Sequence, residues 1–124
     1  MKNVIHTNHA PKAIGPYSQA IEANGMVFIS GQIPVNPETG QVPEGIEAQT
    51  EQVMKNIGAI LAEAGLDFSN IVKTTCLLSD MDNFQAMNAV YATRFPENPP
   101  ARAAFGVSRL PLGVLVEIES IAVR

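Results

Sequence analysis

Near the C-terminus of this 124-residue chain, an arginine and two glutamates sit in sequence that otherwise reads as half-buried β-strand. Pro99-Pro100-Ala101-Arg102-Ala103-Ala104-Phe105 forms one such stretch and Val114-Leu115-Val116-Glu117-Ile118-Glu119 the other. On a period of two, Ala101, Ala103, Phe105 and Val107 share one face of the first strand, and Arg102, Ala104 and Gly106 share the other. That second face carries almost no side chain beyond Arg102, which leaves space beside the guanidinium. In the last strand Val114, Val116 and Ile118 make an apolar face. Glu117 and Glu119 point the other way with Leu115, Ile121 and Val123. A guanidinium with room beside it can grip a small carboxylate through two parallel hydrogen bonds. A glutamate among aliphatic side chains has its pKa raised by burial and can take a proton from water, although a nearby Arg102 would oppose that rise. An arginine with a carboxylate on a neighbouring strand therefore outlines a pocket for a small acid. The same residues also fit an intersubunit salt bridge, and pattern alone does not choose between Glu117 and Glu119.

Other residues bear on such a pocket. Tyr17 follows Gly15-Pro16, so its ring sits on a rigid turn and can wall a small cavity or simply pack in the core. Asn88 lies on the apolar stripe of a helix with Phe84, Met87 and Tyr91 and needs polar partners if buried. Ser30-Gly31 ends a strand and offers backbone groups that a ligand could approach closely. Cys76, in a strand rich in Val, Thr and Leu, reads as inert core. His6 and His9 lack spacing-matched carboxylate or thiol partners, so no metal site is expected. Among the lysines only Lys73 falls in an apolar strand, where a Schiff-base role could arise.

The elements that must position these groups follow a β-β-α-β-α-β-β order. Tyr17–Ala23 and Met26–Gly31 read as strands joined by the Asn24-Gly25 hairpin turn. The segment 33–45 has loop chemistry, with three prolines and two glycines. From Ile46 the spacing of Val53, Ile57, Ile60, Leu61 and Ala64 is helical, and Gly65 stops the helix. Ile71–Leu78 reads as a strand, Ser79-Asp80-Met81-Asp82 caps a second helix, and Pro111-Leu112-Gly113 turns the chain into the last strand. Two helices cover only one face of such a sheet. The other face still carries Leu115, Ile121 and Val123, so a homo-oligomer with sites at subunit seams is expected.

Bulk composition sets outer limits. The chain is one domain, with 46% hydrophobic and 16% charged residues. A net charge of −4 with eight scattered Lys and Arg argues against a nucleic-acid binder. A single cysteine fits a reducing, cytoplasmic compartment, and neither a signal peptide nor a membrane span is expected.

Four motifs, Ala13-Ile14-Gly15-Pro16-Tyr17-Ser18-Gln19-Ala20, Ser30-Gly31-Gln32-Ile33-Pro34, Pro100-Ala101-Arg102 and Val116-Glu117-Ile118-Glu119, resemble the Rid family of reactive-intermediate deaminases, also called the YjgF/UK114 family. The resemblance spans essentially the whole chain. It implies a chorismate-mutase-like α+β fold, a mixed sheet with two helices on one face, and a homotrimer with three pockets between subunits. It further implies hydrolysis of 2-imino acids or their enamine tautomers to 2-keto acids and ammonia, without metal or organic cofactor. Carried over by position, Arg102 holds the substrate carboxylate and Glu117 acts with the hydrolytic water. Tyr17, Ser30, Gly31 and Asn88 match residues lining the family pocket. Ala104 stands where many relatives carry cysteine, which excludes thiol chemistry at that place. Two other readings use the same fold: a regulatory protein binding a small 2-keto acid, and an endoribonuclease or translation inhibitor.

Overall fold

The computed structural model describes residues 1–124. The strands are β1 (Asn3–Ile5), β2 (Ala20–Ala23), β3 (Met26–Gln32), β4 (Ile71–Leu78), β5 (Ala101–Gly106) and β6 (Val116–Val123). The helices are α1 (Ile46–Glu63) and α2 (Phe84–Tyr91). One six-stranded sheet has the order β1-β2-β3-β6-β4-β5. All neighbours are antiparallel except β4 and β5, which the α2 crossover joins in parallel. Both helices lie on one face, as the helix count requires. No helix is long and apolar enough to cross a membrane.

Local chemistry accounts for most boundaries. Asn24 (φ 53°) and Gly25 (φ 73°) both adopt positive φ, the pairing that matches hairpin twist, and Ala23 faces Met26 across the turn. Gly65 (φ 75°) ends the helical hydrogen bonding just past α1. Asp80 accepts a hydrogen bond from the Asp82 amide and opens a short 3-10 turn that runs into α2. Two sequence expectations need correction. The first strand of the hairpin begins at Ala20, because Tyr17–Gln19 are drawn into the preceding loop. The N-terminal β1, only three residues long, carries no readable periodicity and pairs with β2 through Asn3 and Glu22.

The core lies between the sheet and α1. Val53, Met54, Ile57, Ile60 and Leu61 cluster with Val27, Ile29, Val116, Ile118 and Ala122, all buried. Strand alternation sends Phe28, Leu77, Phe105, Glu117, Glu119 and Ile121 to the opposite face, where nothing in the protomer covers them. Phe28 and Phe105 there are 42% and 48% exposed.

Three buried amide side chains tie the long loops to this frame. Gln19 Oε1 accepts from the Thr7 amide at 2.8 Å, while its Nε2 donates to the Thr7 and Pro11 carbonyls at 3.0 and 2.8 Å. Asn56 on α1 donates to the carbonyls of Ile33 and Val35. Gln49 donates to the Pro43 carbonyl and accepts from the Leu115 amide. Gln19 and Gln49 each give a donor and an acceptor to loop backbone, while Asn56 gives two donor contacts and accepts at Oδ1 from the Gln52 side chain. Gln19→Leu keeps the bulk but strands these buried backbone groups, so it is expected to cost about 1–3 kcal/mol. Denaturant unfolding at matched protein concentration measures this, and an unchanged midpoint would refute the role given to Gln19.

Candidate active site

Arg102 occupies the second position of β5, the edge strand, in register with Thr74 of β4. Thr74 pairs in turn with Ser120, and both are buried beneath the helices, so Arg102 projects on the covered face. There it meets α2. Phe84, Asn88 and Tyr91 recur at helical spacing and present one face to the strand. The guanidinium donates from Nη1 to Asn88 Oδ1 at 2.6 Å. Its central carbon lies 5.3 Å from the Phe84 ring centre and 5.0 Å from that of Tyr91. Tyr91 is anchored from behind, its hydroxyl 2.8 Å from Thr74 Oγ1. Burial pushes the Tyr91 phenol up, which keeps the ring neutral. No carboxylate of the same chain pairs with Arg102. The two ion pairs of the chain are Arg94–Glu51 and Arg124–Glu22. The guanidinium borders an open groove of about 360 Å³ lined also by Asn88, Tyr91, Ala92, Phe95, Pro99 and Pro100.

Glu117 lies elsewhere. On β6 it faces Leu77 of β4, on the bare side of the sheet. The β3–β6 register slips between Ile29 and Gln32, so Ser30 and Gly31 form a bulge beside it. The Glu117 side chain folds into the space above Gly31. A Cβ on Gly31 would collide with Glu117 Oε2 and come within 3.0 Å of its Cδ. Glycine here leaves the room in which the Glu117 carboxylate sits, and a larger residue would require that side chain to move. Ser30 is fixed beside it by its hydroxyl donating to the Ser18 carbonyl at 2.6 Å. Burial, then the nearby Glu119 charge, raises the Glu117 carboxyl above its ordinary pKa. That direction agrees with the sequence expectation. The opposing influence expected from Arg102 is absent within the protomer.

The expected pocket between Arg102 and a carboxylate on a neighbouring strand is not formed inside one chain. β4 separates β5 from β6, and the two side chains leave the sheet on opposite faces. Arg102, Asn88 and Ala104 belong to the helix side. Glu117, Ser30 and Gly31 belong to the bare side. Tyr17 is half exposed in the loop between β1 and β2, its hydroxyl oxygen 3.4 Å from the Ile14 amide. A smaller hollow of about 200 Å³ among Phe28, Lys73, Thr75, Glu119 and Ile121 contains neither Arg102 nor Glu117. Lys73 lines that hollow on the bare face rather than an apolar pocket. Cys76 is fully buried, and burial raises its thiol although Arg102 and Thr74 oppose the rise. No three His, Cys, Asp or Glu side chains stand together as a metal site. Sequence reasoning placed Phe84 and Tyr91 on the apolar stripe without seeing that both rings approach Arg102. The shared spacing with Asn88 was the available signal.

Comparison with known proteins extends this geometry. The family profile described as Endoribonuclease L-PSP matches residues 7–124. A RutC family protein of Pyrococcus horikoshii is 54% identical over 125 residues, covering 100% of this chain and 99% of its relative. The mouse 2-iminobutanoate/2-iminopropanoate deaminase is 50% identical, with 100% of this chain and 93% of the mouse protein aligned. The crystal structure of the Rid family protein YyfA from Yersinia pestis superposes with a TM-score of 0.97 at 52% identity, covering 100% of both chains. A match over nearly every residue, in both sequence and fold, leaves one conclusion: the chain belongs to the endoribonuclease L-PSP, or Rid, family.

Proposed function

We propose that this protein is a cofactor-independent imine hydrolase that converts small 2-imino acids, such as 2-iminopropanoate and 2-iminobutanoate, to 2-keto acids and ammonia. The observation that carries the reading is Arg102: a guanidinium beside an open groove, held by a neutral amide and two aromatic rings, with no carboxylate of its own chain paired to it. A cation arranged in this way is free to take the carboxylate of a ligand. The named deaminase relatives at about half identity support the same substrate class.

The chemistry needs one base. Water attacks C2 of the protonated imine, and Glu117 accepts a proton from that water as the C–O bond forms. Glu117 then passes that proton to the nitrogen of the tetrahedral adduct and takes up the hydroxyl proton as the C–N bond breaks, so that ammonia leaves with the 2-keto acid. Ser30, Gly31, Asn88, Tyr17 and Ala104 complete the proposed pocket, with Gly31 giving the Glu117 carboxylate its space. One centre with both Arg102 and Glu117 requires two chains, the helix-side edge of one against the bare sheet face of its neighbour. We take the assembly to be the homotrimer that the family resemblance implies, and the uncovered Phe28, Leu77, Phe105 and Ile121 are the surface it would bury. A cytoplasmic location fits the single buried thiol. A nuclease reading finds weaker support: twelve acidic residues outnumber eight basic ones, and a lone arginine is not a track for a phosphate backbone.

Keto-acid release from a dehydratase-generated imine, timed against semicarbazide capture, tests the proposal. Arg102→Ala should lower kcat/KM roughly a hundredfold without unfolding the protein, as loss of a two-bond charged contact implies, and Arg102→Lys should recover little of it. Full activity in Arg102→Ala would end the assignment. Wild-type binding of 2-oxobutyrate without turnover would favour the regulatory reading instead.

Subunit sharing has its own outcome. Arg102→Ala and Glu117→Gln chains, each inactive alone, should regain about a quarter of wild-type activity when unfolded and reassembled in equal amounts. That is the fraction of seams receiving one intact residue from each partner. No recovery in mixed oligomers would put both residues in one chain's site.

The raised Glu117 carboxyl predicts a pH effect. Activity requires its ionised form, so kcat rises with pH through the elevated pKa. Glu119→Gln removes one cause of the elevation and should move the acidic limb of the pH–rate profile to lower pH, with the plateau kept. A limb that stays in place would separate Glu117 from the rate.

A further inference from the structure

An arginine on an exposed edge strand has four rotatable side-chain bonds and a weakly hydrated head that samples many positions unless held. The usual restraint is a carboxylate partner. Here that partner would compete with the substrate carboxylate for the same N–H groups and cancel the charge that attracts it. Arg102 is held by other means. Asn88 accepts one N–H at 2.6 Å without contributing charge. Phe84 and Tyr91 place the negative faces of their π systems 5.3 and 5.0 Å from the guanidinium carbon. Tyr91 is itself fixed twice, by Phe95 with ring centres 4.8 Å apart and by the hydroxyl contact to Thr74. Thr74 is the β4 residue in register with Arg102, so the anchor and the anchored group stand on one rung of the sheet.

We propose that Phe84 and Tyr91 are positioning residues that preorganise the Arg102 guanidinium for a ligand carboxylate without contributing a charge of their own. The inference rests on the deaminase reading for its substrate, but not for its geometry. The three contacts come from one helix face at residues 84, 88 and 91, so α2 acts as a single rigid clamp. Its neutrality is the essential property. The restraint lowers the ordering cost of binding while Arg102 still borders the open groove.

The test reads the guanidinium directly. In ¹⁵N-labelled protein the Arg102 Nε–H resonance, identified by its loss in Arg102→Lys, should be displaced by ring currents. Tyr91→Leu and Phe84→Leu should each move it toward the position of a free arginine, and Tyr91→Phe should leave it near the wild type. Steady-state kinetics should show KM for the 2-imino acid rising about tenfold in Tyr91→Leu, as loss of one cation–π contact and its restraint implies, with kcat falling less than about threefold. Tyr91→Phe should recover most of that loss. In an Arg102→Ala background Tyr91→Leu should change KM no further. Should Tyr91→Leu fail to fold, Phe84→Leu carries the same readouts. An Nε–H resonance unmoved by the ring substitutions, or a KM penalty that persists without Arg102, overturns the proposal. If Arg102→Ala keeps full turnover, the deaminase reading falls, while the resonance still decides whether the clamp exists.

Discussion

A sheet has two faces, and each residue of a strand belongs to one of them. In this protein both helices pack on the same face, so strand parity decides which side chains meet α2 and which meet nothing within the protomer. Arg102 falls in register with buried Thr74 and Ser120, on the covered side. Glu117 falls in register with Leu77, on the bare side. A shift of one residue in either strand would reverse the facing of every side chain on it. The division of Arg102 and Glu117 between the two faces follows from that register, and a centre holding both would need a second chain.

The electrostatics on the two faces differ in kind. On the covered side a permanent cation is surrounded by an amide, two aromatic rings and a buried threonine–tyrosine contact, none of which carries charge. On the bare side an acid is partly desolvated beside a second acid, which favours its protonated form. The first arrangement conserves attraction for an anion. The second brings a carboxyl toward the range in which it exchanges protons with water. Joined across a seam they would offer an anion grip and a base to one small molecule.

Much of the framework was legible along the chain. Asn24-Gly25 set the β2–β3 hairpin because both residues tolerate positive φ, and Gly65 set the end of α1 for the same reason. The alternation of Val116, Ile118 and the two glutamates correctly separated a core face from an outer one. The three-residue β1 escaped notice, since so short a segment shows no period. The bulge at Ser30-Gly31 escaped as well, because it exists only against β6. The buried amides of Gln19, Gln49 and Asn56 have no sequence signature, as their partners are backbone groups up to 66 positions away.

The sequence by itself determined the chemistry in the chain: which residues are charged, which face of its own strand each occupies, where helices start and stop, and which family motifs it carries. These are local properties, governed by side-chain type and by periods of two and 3.6 residues. Only the tertiary structure decided that β4 lies between the arginine and glutamate strands, that their side chains diverge, and that Phe84 and Tyr91 flank the guanidinium. Strand order and facing between elements depend on which apolar surfaces find one another across long separations, and no stretch of neighbouring residues encodes that.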